Sequence, residues 1–269
     1  MNFYRLDLSY VGTGFLGWQT QPQKKAIQDY LEKALSTIFG EPTKVVGASR
    51  TDSGVHAEHQ VAMFSTSKVL EPRKLLKSLN GLTPAKITIY SLQKVENFHP
   101  ITDATCKLYR YSIGVNRYVS PFFVDYCWHL PDLNKETLSD DLRKFEGQHD
   151  FKSFCASDGN AKTFVRNILE TKTIANQEFV HIYILGEGFL KQMIRNIVGT
   201  IVDRINGRVT LDIDSIIELK DRTKAGRTAP AEGLSLVQIF FKNPPTSIDK
   251  YLEDRQYFPL AQTGEQLFD

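Results

Sequence analysis

The chain has 269 residues, enough for one large domain or two small ones. Its apolar and charged content is that of an ordinary globular protein, and 33 basic residues stand against 31 acidic ones. That balance excludes a wholly basic nucleic-acid coat and leaves room for a local basic cleft.

Tyr4, Leu6, Leu8 and Tyr10 alternate with Arg5, Asp7 and Ser9, which predicts a half-buried strand. Ile27, Tyr30, Leu31, Ala34, Leu35 and Ile38 then repeat at helical spacing, and Gly40 ends the run. Two strand-like runs follow, Thr43 to Ala48 and His59 to Thr66, with a turn between them. A short helix pattern starts near Pro72 and carries Leu75, Leu76 and Leu79, and Ile87 and Ile89 mark another strand. The order is β-α-β-β-α-β.

The second half repeats that order. Thr105 to Val115 alternates as a long strand, and Asn134 is placed to cap a helix carrying Leu138, Leu142 and Phe145, with Gly147 past its end. Arg166 to Ile174 and Phe179 to Leu185 read as a strand pair joined around Asn176. Leu190, Met193, Ile194, Ile197, Val198, Ile201, Val202 and Ile205 form the cleanest helical stripe in the chain. A short helix with Ile213, Ile216 and Ile217 and a strand from Leu234 to Phe241 close the pattern. The expected fold is α+β: two ferredoxin-like βαββαβ halves, 1–104 and 105–242, whose antiparallel sheets join across a central cleft suited to a large ligand. Prolines, isolated aromatics and the lack of a period from Asn243 to Asp269 predict an extended tail over the surface.

Cys106, Cys127 and Cys155 are widely spaced and odd in number, which points away from a disulfide framework and from a thiolate zinc site. No apolar run approaches the roughly 20 residues of a membrane span. Met1 to Arg5 enters a strand pattern with no signal-peptide core, so a cytoplasmic protein is expected. Gly12-Thr13-Gly14-Phe15-Leu16-Gly17 matches the dinucleotide pattern G-x-G-x-x-G, but Trp18-Gln19-Thr20-Gln21-Pro22 follows where a helix is needed to meet a pyrophosphate. No nucleotide cofactor is therefore expected. The loop is read as one that approaches RNA or substrate backbone closely, with Trp18 packed beneath it. His56 and His59 lack further ligands for zinc, so no metal is expected, and His56 is read as bonding the adjacent turn. A serine-hydrolase elbow and a Walker loop are both absent.

The most informative stretch is Arg50-Thr51-Asp52-Ser53-Gly54-Val55-His56, between the two short strands. A carboxylate on a turn between strands is held stiffly, Arg50 can fix its charge, and Gly54 lets the backbone turn. Asp52 fits either a plain turn-former or a reactive group. Strand alternation puts Tyr109 and Tyr111 on one face and Leu108 and Arg110 on the other, and Tyr109 fits either core packing or a ring on which a base stacks. Arg195, with Lys191 one turn before it, fits either a solvated helix face or a partner that keeps Asp52 ionised.

Taken together, Tyr10 to Gln19, Arg50 to Ala57, Phe98-His99, Tyr109-Arg110-Tyr111, His149 to Phe154, Met193 to Gly199 and Glu232-Gly233-Leu234 resemble, in order, the TruA-type tRNA pseudouridine synthases over nearly the whole chain. The resemblance implies an enzyme that isomerises uridine to pseudouridine in the anticodon stem-loop of tRNA, at tRNA positions 38–40, on a flipped-out base. It implies no cofactor and a homodimer. It also implies that Asp52 is the catalytic aspartate, that Tyr109 stacks on the target uracil and that Arg195 is the basic partner of Asp52. Arg50 is implied as an RNA contact that helps flip the base, and Leu234 as part of the uracil pocket. Val11, Ile101 and Ser49 stand where the family commonly has aspartate, arginine and glycine.

Lys24, Lys25, Lys107, Arg110, Lys191 and Arg227 are candidate phosphate contacts. The competing reading is a non-catalytic RNA-binding protein on twin ferredoxin-like halves, which gains nothing from an anion near phosphates. A nucleotide-dependent oxidoreductase is the third and weakest.

Overall fold

Alternation at the N-terminus produces strand β1 (Asn2–Tyr10), with Tyr4, Leu6, Leu8 and Tyr10 buried along one side. The structure, a computed structural model, describes residues 1–68, 71–159 and 161–256. The chain divides into two units, one made of Met1–Thr105 and the chain from Leu236 onward, the other of Cys106–Ser235.

In the first unit β1 leads to helix α1 (Ile27–Phe39), strand β2 (Val45–Gly47), strand β3 (His56–Thr66), helix α2 (Pro72–Leu82) and strand β4 (Ile87–Val95). β1 pairs antiparallel with β3 and with β4, and β2 pairs antiparallel with β3, giving the order β4-β1-β3-β2. Each helix thus joins two strands that have a third between them, the split β-α-β connection used twice. Register sets Tyr4 opposite Phe64, and Leu6 opposite Ala62 and Leu92. α1 lies on this face, where Phe39 meets Phe64 at 5.9 Å between ring centroids and Phe64 stacks on Tyr4 at 5.4 Å. The helix begins where Asp29 accepts the Ala26 amide at 3.0 Å and ends at Gly40, in the left-handed region at φ 70°.

The opposite face of β1 and β3 carries charge. Asp7 accepts from Arg5 Nη2 at 2.6 Å and from His59 Nε2 at 2.9 Å, while His59 Nδ1 accepts the Ile239 amide at 3.2 Å. A ring nitrogen that accepts carries no proton, so His59 is the neutral tautomer that donates from Nε2. Burial pushes the Asp7 carboxyl up, but the hydrogen bonds from His59 and Arg5 outweigh it and hold the group below its ordinary value.

The second unit contains strands β5 (Cys106–Gly114) and β6 (Trp128–His129), helix α3 (Leu138–Arg143), strands β7 (Gly147–Asp150), β8 (Val165–Ala175) and β9 (Phe179–Gly186), and helices α4 (Met193–Ile205) and α5 (Ile213–Leu219). β5, β9, β8 and β7 lie side by side and antiparallel, and β6 pairs parallel with the end of β5. The β8–β9 turn forms as expected around Asn176, whose Oδ1 accepts the Glu178 and Phe179 amides at 2.9 and 2.7 Å. α3 starts after Thr137, not at Asn134, whose Oδ1 caps the Glu136 amide instead at 3.0 Å. α4 buries Ile194, Ile197, Val198 and Ile201, and it starts at Met193, so Lys191 precedes the helix.

Strand β10 (Leu234–Phe240) opens in the second unit and belongs to the first from Leu236, where the Phe240 carbonyl accepts the Thr105 amide at 2.8 Å. Beyond it the expected extended tail is instead a helix, α6 (Ile248–Gln256). Tertiary contacts hold it where its own sequence is a weak helix: Ile248 is fully buried, Tyr251 meets Phe240 edge-on at 5.7 Å, and Arg255 pairs with Glu58 at 2.5 Å. The rest of the tail, 257–269, lies outside the described residues. Among the described residues no helix is long and apolar enough to cross a membrane.

Candidate active site

Arg50 and Asp52 belong to the first unit, and Tyr109, Arg195 and Leu234 to the second. The Asp52 turn is closed by the Val55 amide donating to the Asp52 carbonyl at 3.2 Å, with Gly54 at φ +82° in the third position, where a side chain is disfavoured. Asp52 is left half-buried at the head of this turn. The Gly12–Trp18 loop lies directly against it. The Trp18 amide donates to the Thr51 carbonyl at 3.0 Å, Ser53 Oγ donates to the Phe15 carbonyl at 3.0 Å, and the Gly12 amide donates to His56 Nδ1 at 3.1 Å.

The two backbones touch so closely that a Cβ on Gly17 would sit 2.5 Å from the Thr51 carbonyl oxygen, and one on Gly12 2.1 Å from that of Val55. Gly12 and Gly17 therefore serve the protein's own turn. A Cβ on Gly14, by contrast, would meet nothing within 4 Å. Trp18 does pack beneath, 1% exposed, where a Cβ on Gly47 would fall 2.2 Å from its ring. Through Nδ1, His56 ties down the glycine loop that lies against the turn. Arg50 is exposed and forms no ion pair with Asp52.

In the second unit Tyr109 is buried on β5, opposite Ile184, with its ring edge-on to Phe189 at 5.2 Å. The missing side chain of Gly186 makes room for Phe189, whose ring would lie 2.9 Å from a Cβ there. Tyr111, two residues along the same face, donates from its hydroxyl to the Pro230 carbonyl at 2.8 Å, and its ring fills the space of a Gly233 side chain. Burial, with the Glu232 carboxylate adding to it, pushes the Tyr111 phenol well above its ordinary value. Arg195 Nε donates to the Ala229 carbonyl at 2.8 Å and the Ala229 amide returns to the Arg195 carbonyl at 3.0 Å. The segment from Ala229 to Leu234 thereby touches both Arg195 and Tyr111, and Leu234 is buried at its end, its amide on the Ala231 carbonyl at 2.9 Å.

Sequence reasoning missed what holds that segment. Asn196, Thr200 and Asp203 recur at helical spacing on α4 and all are buried. Asn196 Oδ1 accepts from Thr228 Oγ1 at 2.7 Å and Arg222 Nη2 at 3.0 Å, while its Nδ2 donates to the Phe154 carbonyl at 2.8 Å. Thr200 Oγ1 accepts the Gly226 amide at 2.9 Å, and Asp203 accepts the Arg227 amide at 2.9 Å and Arg227 Nε at 2.8 Å. The available signal was a polar residue at each turn of α4, on the side away from its apolar stripe. Phe189, just after two glycines and without a period, offered none. Of the candidate phosphate contacts, Arg227 is engaged by Asp203 and Lys191 by Asp158 at 2.5 Å, and burial pushes the Lys107 ammonium down to about 8.

Among the described residues no cluster of histidine, cysteine and carboxylate side chains is placed to hold a metal ion. A family model described as tRNA pseudouridine synthase matches residues 8–101 and 142–242. The chain belongs to the tRNA pseudouridine synthase family. Proteins named tRNA pseudouridine synthase A are similar over most of its length. The one from Caldicellulosiruptor bescii is 38% identical over 239 residues, 88% of this chain and 98% of its own. Those from Pelobacter propionicus and Ruminiclostridium cellulolyticum are each 39% identical over 245 residues, 90% of this chain and 100% of their own. Asp52, Arg195 and Leu234 lie inside the stretches that the family model matches, and Tyr109 lies between them.

Proposed function

We propose that this chain is a cytoplasmic tRNA pseudouridine synthase that acts on uridines 38–40 of the anticodon stem-loop, with Asp52 as the reacting carboxylate. Tyr109 is the stacking residue for the uracil, Arg195 the basic partner of Asp52, Arg50 an RNA contact and Leu234 part of the uracil pocket. The observation that carries the reading is the Asp52 turn itself, a half-buried carboxylate on a backbone that a second loop clamps from beneath. A plain turn-former does not need two glycines in main-chain contact with it.

The reaction breaks the bond from C1′ to N1, rotates the uracil and joins C1′ to C5. N1 gains a proton and C5 loses one, so the atoms balance without an oxidant or a reductant. An ionised carboxylate adds to C1′ or to uracil C6 as a nucleophile, or removes the C2′ proton as a base. The exposed guanidinium of Arg50, two residues from Asp52 and unengaged by any carboxylate among the described residues, suits a phosphate contact beside the flipped base.

The reading includes a homodimer. In its favour, Tyr118, Phe122, Phe123, Val124 and Tyr126 are all exposed on one loop, Phe122 by 83%. Arg117 and Asp125, on the same loop, offer opposite charges for a two-fold related copy. Light scattering at twice the chain mass supports this part, and the single-chain mass removes it.

The test of the activity is tritium release from tRNA labelled at uridine C5. Release by the intact protein and none by Asp52→Ala, with tRNA binding kept, is the expected result. Binding lost in proportion to activity would argue against a chemical role for Asp52, and no release with binding intact would favour the non-catalytic reading.

A further inference from the structure

The path of the chain into Asp52 is set by side chains to which the family resemblance assigns no role. The strand ladder gives out one residue after β2, at the Ala48 amide, which donates to the Val61 carbonyl at 2.8 Å. From there Gln60, fully buried on β3, stands in for a neighbouring strand. Its Oε1 accepts the Ser49 amide at 3.2 Å and its Nε2 donates to the Ser49 carbonyl at 2.8 Å, so one side-chain amide grips both main-chain groups of Ser49. The same Nε2 lies 3.4 Å from Tyr10 Oη, and Tyr10 Oη lies 2.8 Å from Thr51 Oγ1. An amide nitrogen only donates, so the Tyr10 oxygen accepts from Gln60 and can give its own proton to Thr51. Tyr10 is 4% exposed and Thr51 7%, so water is a poor substitute for either partner.

We propose that Tyr10 and Gln60 are positioning residues for the Asp52 carboxylate, acting through Thr51 and Ser49. Gln60 fixes the path of the chain three residues before Asp52. Tyr10 fixes the residue next to it through the Thr51 hydroxyl, while the Trp18 amide holds the Thr51 carbonyl. Thr51 is thus pinned at two points, and the peptide that leads into Asp52 has one orientation. The consequence for chemistry follows from the tolerance of reacting groups, for which a displacement of about 1 Å costs on the order of a hundredfold in rate. The inference rests on the reading that Asp52 reacts.

Tyr10→Phe is the gentlest probe, since it keeps the ring packed on Trp18, 6.2 Å away between centroids, and removes one hydroxyl. Thr51→Val breaks the same bond from its other end. Each is expected to lower kcat for tRNA by about tenfold with KM unchanged, in line with a displacement of a fraction of an ångström. The double variant is expected to be no slower than Tyr10→Phe, because the bond to Thr51 is already gone in that variant. Thr51→Ser, which keeps the hydroxyl, recovers most of the turnover that Thr51→Val loses. A merely structural role moves thermal unfolding and leaves kcat of the folded protein alone. Unchanged kcat in Tyr10→Phe, falls that multiply in the double variant, or a rise in KM at constant kcat each overturn the proposal. With release by the intact protein and none by Asp52→Ala, full activity of Tyr10→Phe sinks this inference alone. Activity that survives Asp52→Ala removes the Asp52 reading and this inference with it.

Discussion

The turn that carries Asp52 and the helix that carries Arg195 both rest on a close backbone contact at glycine and differ in what is added to it. Around Asp52 the closest contacts are main chain on main chain, made possible by side chains that are absent at Gly12 and Gly17, and a few side chains such as Tyr10 and Gln60 steady the chain that leads in. Around Arg195 a Cβ on Gly199 would fall 1.9 Å from the Arg227 carbonyl oxygen, and a network of buried polar side chains, Asn196, Thr200 and Asp203, pairs with the segment from Arg222 to Thr228 as well. A backbone clamp leaves little room for rotamers and fails when an atom is added. A side-chain network fails when an atom is taken away, because its buried partners lose their hydrogen bonds.

The sharpest way to break the first arrangement is Gly17→Ala. The added methyl meets the Thr51 carbonyl oxygen at 2.5 Å, and the residue sits at φ +78°, so both space and backbone oppose it. The expected outcome is a kcat lower by roughly a hundredfold or more and a stability loss of about 2–4 kcal/mol. Gly14→Ala separates the two causes. Its φ of +93° is equally unfavourable, but nothing lies within 4 Å of the new methyl. It is expected to cost about 1 kcal/mol in urea unfolding and to leave kcat within a few-fold. Equal losses of kcat in the two variants would show that backbone strain, and not contact with the Asp52 turn, is what Gly17 avoids.

The second arrangement is broken by Asn196→Leu. Leucine fills the fully buried site but withdraws hydrogen bonds from the Phe154 carbonyl, Arg222 and Thr228 together. A loss of roughly 2–4 kcal/mol in urea unfolding is expected, with a smaller effect on kcat of the folded fraction than Gly17→Ala has. A stability change within about 0.5 kcal/mol would mean that the network is a surface feature and that Ala229 alone aligns Arg195.

The same contrast explains what could be read in advance. The order of strands and helices was legible because each long element keeps one period, from Tyr4–Tyr10 in β1 to Ile194–Ile201 in α4. β6 and β7 were not, since two and four residues are too few to show alternation. α6 was missed because its stability comes from Phe240 and Glu58, which its own sequence does not reveal. The Asp52 turn announced itself through Gly54 beside a carboxylate. The clamp did not, because the need for Gly17 arises from a contact with Thr51 and not from its neighbours. A G-x-G-x-x-G pattern says that the backbone comes close to something and is silent on what.

The smallest expected effect on turnover concerns Lys107, which shares a face of β5 with Tyr109. Burial pushes its ammonium from an ordinary 10.5 down to about 8. Between those two values the unfolded chain binds more protons than the folded one, so stability rises with pH across that window, and below about 8 the burial penalty stands in full. Lys107→Met removes the penalty. It is expected to raise stability at neutral pH by roughly 1–3 kcal/mol, with the gain shrinking through the window and gone above it, as read from urea midpoints against pH. Kinetics then decide why a costly lysine is there. A variant that gains stability and loses kcat/KM for tRNA marks a cation kept for RNA at the expense of the fold. One that gains stability with kcat/KM intact leaves the work of binding phosphate to exposed groups such as Arg50, and makes the buried charge of β5 dispensable.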